Sequence, residues 1–299
     1  MSELSFKTGF FLWVLFSITC KAQSFQATSE TKTYDIRRNG TAIEQTRTDY
    51  ALLIANESYS DAGYAKLNNP KLDVSAIEKR LKDQFGFKTE VLVDVDKEAC
   101  IRKLREYAAK PYGKYDQLLI YFAGHGDFDA LLRQGYVVLN DSKNQDETYA
   151  KHLSFPELQN IVSNLRCNHI LLTLDVCYGG TFDSYFATAD DQIFRGTNLV
   201  GEKNQMSESL AAYTMEKLKP ITRLYLSAGG KETVSDGKKG EHSPFAKAFI
   251  EKLDEAAGSS YKILTAGGLK DYLEKQTRKV KMNGFGSNQS NSDFLFVAN

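Results

Sequence analysis

The sequence predicts an α/β fold: a mostly parallel sheet with helices on both faces. Three observations carry that reading. Short apolar runs such as "YALLIAN" (50–56), "LLIYFA" (118–123) and "HILLTLDV" (169–176) suit strands buried on both faces. Between the runs lie segments with apolar residues at helical spacing and with start signals of their own. The two kinds of segment alternate along the chain, as strand–helix–strand crossovers require.

The first residues are read as a targeting segment. Lys7, an apolar run from Phe10 to Ile18 and small residues up to Ala22 have the layout of a signal peptide over 1–22, cut after Ala22 to leave Gln23 first. The run is short for a bilayer span, and no other segment suits one, so no stable membrane insertion is expected after cleavage. The chain is therefore expected to be exported, periplasmic or extracellular. Cys20 keeps a lipoprotein anchor as the alternative. Residues 23–48 are polar, lack periodicity and include Arg37-Arg38; they read as a linker or pro-segment.

Order is expected from residue 49 onward. Asn69-Pro70 reads as an N-cap with proline at the first helical position. The helix it opens runs to about Phe85, with Leu72, Ala76, Ile77, Leu81 and Phe85 on one face. "KTEVLVDV" follows as a strand, Asp96 can cap the helix "KEACIRKLREYAA", and 115–123 make the next strand. "GYVVLND" reads as a strand, Ser154 and Glu157 as a capping box for "FPELQNIVSNL", and 169–176 as another strand. Periodicity lapses over 183–219, a polar stretch long enough to be a functional loop. "ITRLYLSA" resumes as a strand, Ser243-Pro244 starts the helix "FAKAFIEKLDE", a further helix covers about 268–280, and "DFLFVA" closes the chain.

The composition bounds the function. The 299 residues are 42% apolar and 25% charged, as in an ordinary globular protein. With 38 basic and 38 acidic residues, net charge gives no reason to expect nucleic acid or an anionic membrane as partner. Loss of Cys20 would leave Cys100, Cys167 and Cys177, an odd count that is no disulfide scaffold. Cys100 and Cys167 read as packing residues, with pairing after export left open. His152 and His169 have no partner in the sequence and read as exposed or structural, and His242 has no evident chemistry. No metal-ligand spacing appears.

Two strand ends carry the chemistry. In "LLIYFAGHGDFD" (118–129) a strand runs into Gly124-His125-Gly126, and in "HILLTLDVCYGGTFD" (169–183) one runs into Cys177. Successive parallel strands bring their C-terminal ends to one edge, where such sheets bind ligands. An imidazole can activate a thiol whose unperturbed pKa is about 8.5. The reading is a His125–Cys177 dyad, with the backbone amides of Gly126 and Cys177 as oxyanion donors. Cys177 follows His125 by 52 residues, and caspases have a spacing of about 50.

From about residue 49 the chain resembles the caspase and metacaspase superfamily of cysteine peptidases, which includes clostripain and gingipain. The matching pieces are "LNNPKLDVSAIEKRLKDQFGF", "YFAGHGD", "LLTLDVCYGG" and "RLYLSAGGKETVSDG" followed by "HSPFAKAFIEKL". The resemblance implies a caspase-like three-layer sandwich with a six-stranded, mostly parallel sheet. It divides the peptidase domain (49–299) into large-subunit-like (49–183), intersubunit-loop (184–219) and small-subunit-like (220–299) parts. It maps the dyad onto His125 and Cys177, and the substrate pocket onto Asp175, Asp73, Ser227 and Ala228. Asp175 stands where metacaspases have an acid and caspases a glutamine, which implies cleavage after Arg or Lys instead of Asp. Arg195, Lys203, Lys217 and Lys219 would be self-processing sites.

Metacaspases often depend on calcium, and Asp141 and Asp146 fall in the relevant interval. The paired aspartates expected near "LSFPEL" are absent, so no cofactor is expected and calcium activation stays open. Tyr178 and Gly179 replace the histidine and serine common after the metacaspase nucleophile, which would reshape the leaving-group side. The expected partner is a polypeptide substrate, with no nucleic acid; the oligomeric state is left open. The expected function is that of an exported cysteine endopeptidase. A non-hydrolysing caspase-like module that binds peptides or partners is the alternative.

Overall fold

The computed structural model describes residues 31–38, 41–182, 210–229, 235–277 and 280–299. A hairpin comes first, β1 (Lys32–Arg38) and β2 (Thr41–Arg47), within the segment read as aperiodic. Next come β3 (Asp49–Ala55), α1 (Pro70–Phe85), β4 (Lys88–Val93), α2 (Lys97–Ala109) and β5 (Gln117–Gly124). The middle of the chain contains β6 (Gly126–Asp129), β7 (Gln134–Val137), β8 (Leu153–Ser154), α3 (Phe155–Ser163) and β9 (His169–Val176). The last part contains α4 (Leu210–Lys217), β10 (Thr222–Ser227), α5 (Pro244–Gly258), β11 (Ile263–Thr265), α6 (Ala266–Thr277), β12 (Lys281–Gly284) and β13 (Leu295–Val297).

Six strands form the central sheet in the order β12-β10-β9-β5-β3-β4. Every pair is parallel except β10 with β12. Because side chains alternate across a strand, Ala51, Leu53 and Ala55 of β3 face one core with α1, α5 and α6. Leu52 and Ile54 face the other, with α2 and α3. The result is the expected three-layer α/β sandwich. Among the described residues, no helix is long and apolar enough to cross a membrane.

Several local expectations change. "GYVVLND" supplies β7, which pairs antiparallel with β6 and β8 in a separate small sheet. The closing strand β13 pairs with β11, and the sixth place in the main sheet goes to β12. On α1, Leu72 is exposed and Val74 takes its place in the core. Pro70 does open α1, but Asn69 does not cap it; its side-chain amide donates to the carbonyls of Asp236 and Lys238 instead. Asp96 and Ser243 cap their helices through their side chains. Ser154 accepts from the Glu157 amide, while the Glu157 carboxylate pairs with Lys97. Helix α4 lies inside the stretch read as a loop.

At the N-terminal ends of the strands, a buried polar knot ties the hairpin to the sheet. The Asp49 carboxylate accepts from Arg47 at 2.6 Å, Lys32 at 3.3 Å and Gln117 at 3.0 Å. Burial alone would raise the Asp49 pKa, but the two cations and the hydrogen bonds outweigh it and hold the carboxyl below its usual range.

Candidate active site

His125 and Cys177 are set by strand register. In the parallel β5–β9 pair Gly124 stands opposite Val176, so each of the two residues is the first beyond its paired strand end. Neighbouring strands lie about 4.8 Å apart, and both residues line one cleft of about 370 Å³ at this edge. The chain leaves β3 toward β4 on one side and returns to β5 on the other. The cleft therefore sits where the strand order reverses, the usual ligand position in such sheets.

The loop after β3 holds the histidine. The His125 amide donates to the Tyr59 hydroxyl at 2.9 Å, and that hydroxyl donates to the Asn56 carbonyl. The Tyr59 ring lies 5.0 Å from the imidazole. His125 Nε2 is 2.8 Å from the Ala65 carbonyl oxygen. A carbonyl can only accept, so Nε2 carries a proton and Nδ1 is the basic nitrogen of the neutral ring.

Glycine is needed beside both residues. A β-carbon at Gly126 would stand 2.0 Å from the Cys177 carbonyl oxygen and 3.1 Å from its nitrogen, so the two backbones touch. One at Gly124 would meet the Asn56 carbonyl oxygen at 2.9 Å. Tyr178 takes a left-handed conformation, with φ of 60°, and its ring stacks on Phe128. Cys177 is half-buried, whereas Cys100 and Cys167 are fully buried and free. Burial pushes both of those thiols up to about 12, as fits their reading as packing residues.

The other end of the cleft is acidic. Asp175 is buried, and its Oδ2 accepts from the Ser243 hydroxyl at 2.8 Å and the Tyr121 hydroxyl at 3.2 Å. Asp73 accepts from the Ser243 amide at 3.3 Å and lies 2.7 Å from His242 Nδ1. Burial pushes both carboxyls up to about 7, with Asp73 adding to the shift at Asp175. Asp236 adds its charge to both. All three line the cleft together with Ser243.

Of the residues expected at the site, His125, Cys177, Gly126, Asp175 and Asp73 line the cleft. Ser227 and Ala228 do not; both are buried, and the Ser227 hydroxyl donates to the Gly229 carbonyl. Sequence reasoning missed Asp236 and the bond from His242 to Asp73. The signal for Asp236 was the stretch "TVSDG", an acid in an aperiodic loop, whereas nothing local ties His242 to Asp73, 169 residues away. His152 and His169 are both buried, so neither is an exposed residue. Asp141 pairs with Lys151 and accepts from the Lys97 amide, and Asp146 accepts from Thr148 and Ala150. Of the basic residues expected as processing sites, Lys217 ends α4, Lys219 pairs with Glu216, and Arg195 and Lys203 lie outside the described residues.

A family model described as the caspase domain of peptidase family C14 matches residues 48–294. The fold is similar to the crystal structure of caspase-1 from Spodoptera frugiperda. That match has a TM-score of 0.54 and 14% sequence identity, covering 82% of this chain and 92% of that one. No curated protein matches the sequence.

Proposed function

Because the chain belongs to the caspase-domain family of peptidases, we propose that it is a cysteine endopeptidase that cleaves after Arg or Lys through a Cys177–His125 dyad. The observation that carries the dyad is the register of β5 and β9, which starts both residues from paired strand ends beside one cleft. His125 Nδ1 takes the thiol proton as Cys177 attacks the scissile carbonyl. The imidazolium then gives that proton to the leaving amine. Water, deprotonated by the same nitrogen, hydrolyses the acyl-enzyme. The contact of Gly126 with Cys177 supports their amides as donors to the tetrahedral oxyanion.

Asp73, Asp175 and Asp236 support the basic preference. A guanidinium or ammonium in their midst would ionise the Asp73 and Asp175 carboxyls, which otherwise hold protons to about pH 7, and would bind through charge-assisted hydrogen bonds. Export rests on the 1–22 segment, which lies outside the described residues; sequencing the mature N-terminus should give Gln23.

The test uses the purified mature chain with fluorogenic peptides ending in Arg, Lys or Asp, with and without calcium, beside Cys177→Ala. Cleavage after Arg and Lys that the variant lacks is the expected result. Cleavage after Asp would remove the acidic-pocket reading and keep the dyad. No cleavage in any condition would favour a non-hydrolysing binding module.

A further inference from the structure

We propose that Tyr64 is a positioning residue for His125: its hydroxyl, held between Asp127 and the buried His152, fixes the neighbouring Ala65 carbonyl that orients the imidazole. The inference rests on the dyad reading above. Ala65 is exposed, as are Gly63 and Lys66, so side-chain packing does not place its carbonyl. Other ties near Ala65 involve the backbone: the Tyr64 amide to the Asp61 carbonyl, the Leu67 amide to the Glu57 carbonyl, the Gly63 amide to the Asp61 carboxylate, and Asn144 to the Gly63 carbonyl in an exposed contact. None of them uses the Ala65 carbonyl.

Tyr64 is held more firmly. Its hydroxyl is 2.5 Å from Asp127 Oδ2 and 2.7 Å from His152 Nε2. A carboxylate only accepts, so the single phenolic proton goes to Asp127 and Nε2–H of His152 donates to the phenol oxygen. His152 is 1% exposed, and its Nδ1 has no partner among the described residues, as suits a neutral ring with its one proton on Nε2. Burial lowers the His152 pKa against the pull of Asp127 and Asp146, which also favours that neutral form.

His152 is itself wedged against Tyr136 and Tyr149. The chain of contacts thus runs from a rigid aromatic cluster through the Tyr64 hydroxyl to the residue whose carbonyl holds His125 Nε2. The Tyr64 ring also stands 6.0 Å from the imidazole. The charged groups facing this relay are Asp127, Asp61 and Asp146, with Lys97 and Asp141 behind His152.

The test measures iodoacetamide alkylation of Cys177 from pH 5 to 9 in the purified mature chain, a readout that needs no substrate. An imidazolium partner keeps part of the thiol reactive below the usual thiol range. His125→Ala removes that low-pH phase if the dyad exists; an unchanged profile overturns the dyad and this inference together. Given a dyad, Tyr64→Phe, which keeps the ring, should cut the low-pH rate about tenfold. It should also lower kcat on an Arg peptide by a similar factor with KM unchanged. His152→Gln can still donate to the phenol and should keep the wild-type profile, whereas His152→Leu should follow Tyr64→Phe. Wild-type profiles for both Tyr64→Phe and His152→Leu would overturn the inference and leave the dyad standing. Equal losses in the Gln and Leu variants would also overturn it, since a merely structural role makes no such distinction.

Discussion

Asp175→Asn should make the protein more stable and less active, and pH separates the two effects. The buried Asp175 carboxyl holds its proton up to about pH 7, against an ordinary value of 3.8. A carboxyl whose folded pKa is raised favours the folded state below the unfolded pKa. That advantage is lost as pH rises toward the folded value, and the deficit is constant above it. At 1.36 kcal/mol per pH unit, wild-type stability therefore falls by up to about 4 kcal/mol between pH 4 and pH 8 through this group. Asparagine has no proton to lose, and its amide oxygen can still accept from Ser243 and Tyr121, the two donors that now meet Asp175. A domain of this size gains roughly 2–4 °C in Tm per kcal/mol. The variant should thus melt up to roughly 8–16 °C above wild type at pH 8 and within a degree or two of it at pH 4. On an Arg peptide, loss of one charge-assisted partner worth about 1.5–3 kcal/mol should cut kcat/KM by roughly 10- to 150-fold. Calorimetry at the two pH values and peptide kinetics at pH 8 check both. A stability gain equal at both pH values, or unchanged cleavage after Arg, would refute the reasoning.

Other perturbations probe the frame around the site. Asp49→Asn leaves the buried Arg47 without its carboxylate and should cost about 3–5 kcal/mol at pH 7. Because the folded pKa of Asp49 is lowered, its stabilisation exists above the unfolded pKa and disappears as pH falls through the folded one. Urea titrations should therefore show the gap to wild type closing in acid. Phe249→Ala removes a fully buried ring packed on Tyr121 and Phe296 and should cost about 3–5 kcal/mol in the same assay. Gly126→Ala drives a β-carbon into the Cys177 peptide and should abolish peptide cleavage, measured with the Arg substrate. Native protein treated with alkylating agent should be modified at Cys177, with Cys100 and Cys167 reacting only after unfolding, as peptide mapping would show.

Much of this was legible because buried parallel strands announce themselves. "LLIYFA" and "HILLTLDV" have the length and composition of buried strands, and reading them so put His125 and Cys177 at one edge before any contact was known. Caps at Asp96 and Ser243 were equally readable, since a side-chain oxygen next to a periodic run has one obvious role. What failed depended on long-range partners. "GYVVLND" has strand composition, but nothing local says that it pairs with residues 126–129 and leaves the main sheet alone. Asn69 looked like a cap and instead binds a loop some 170 residues away. His152 and His242 looked idle because Tyr64 and Asp73, their partners, are remote in sequence. Asp236 stayed hidden in a loop without periodicity.

The most direct test of the central claim is the intact mass of the mature chain after incubation with a peptidyl-arginine acyloxymethyl ketone, followed by peptide mapping. The account predicts one adduct per chain, on Cys177, that forms at a much lower rate in His125→Ala and with the aspartate-ended reagent. An adduct on another residue, or equal labelling by the arginine and aspartate reagents, would contradict it.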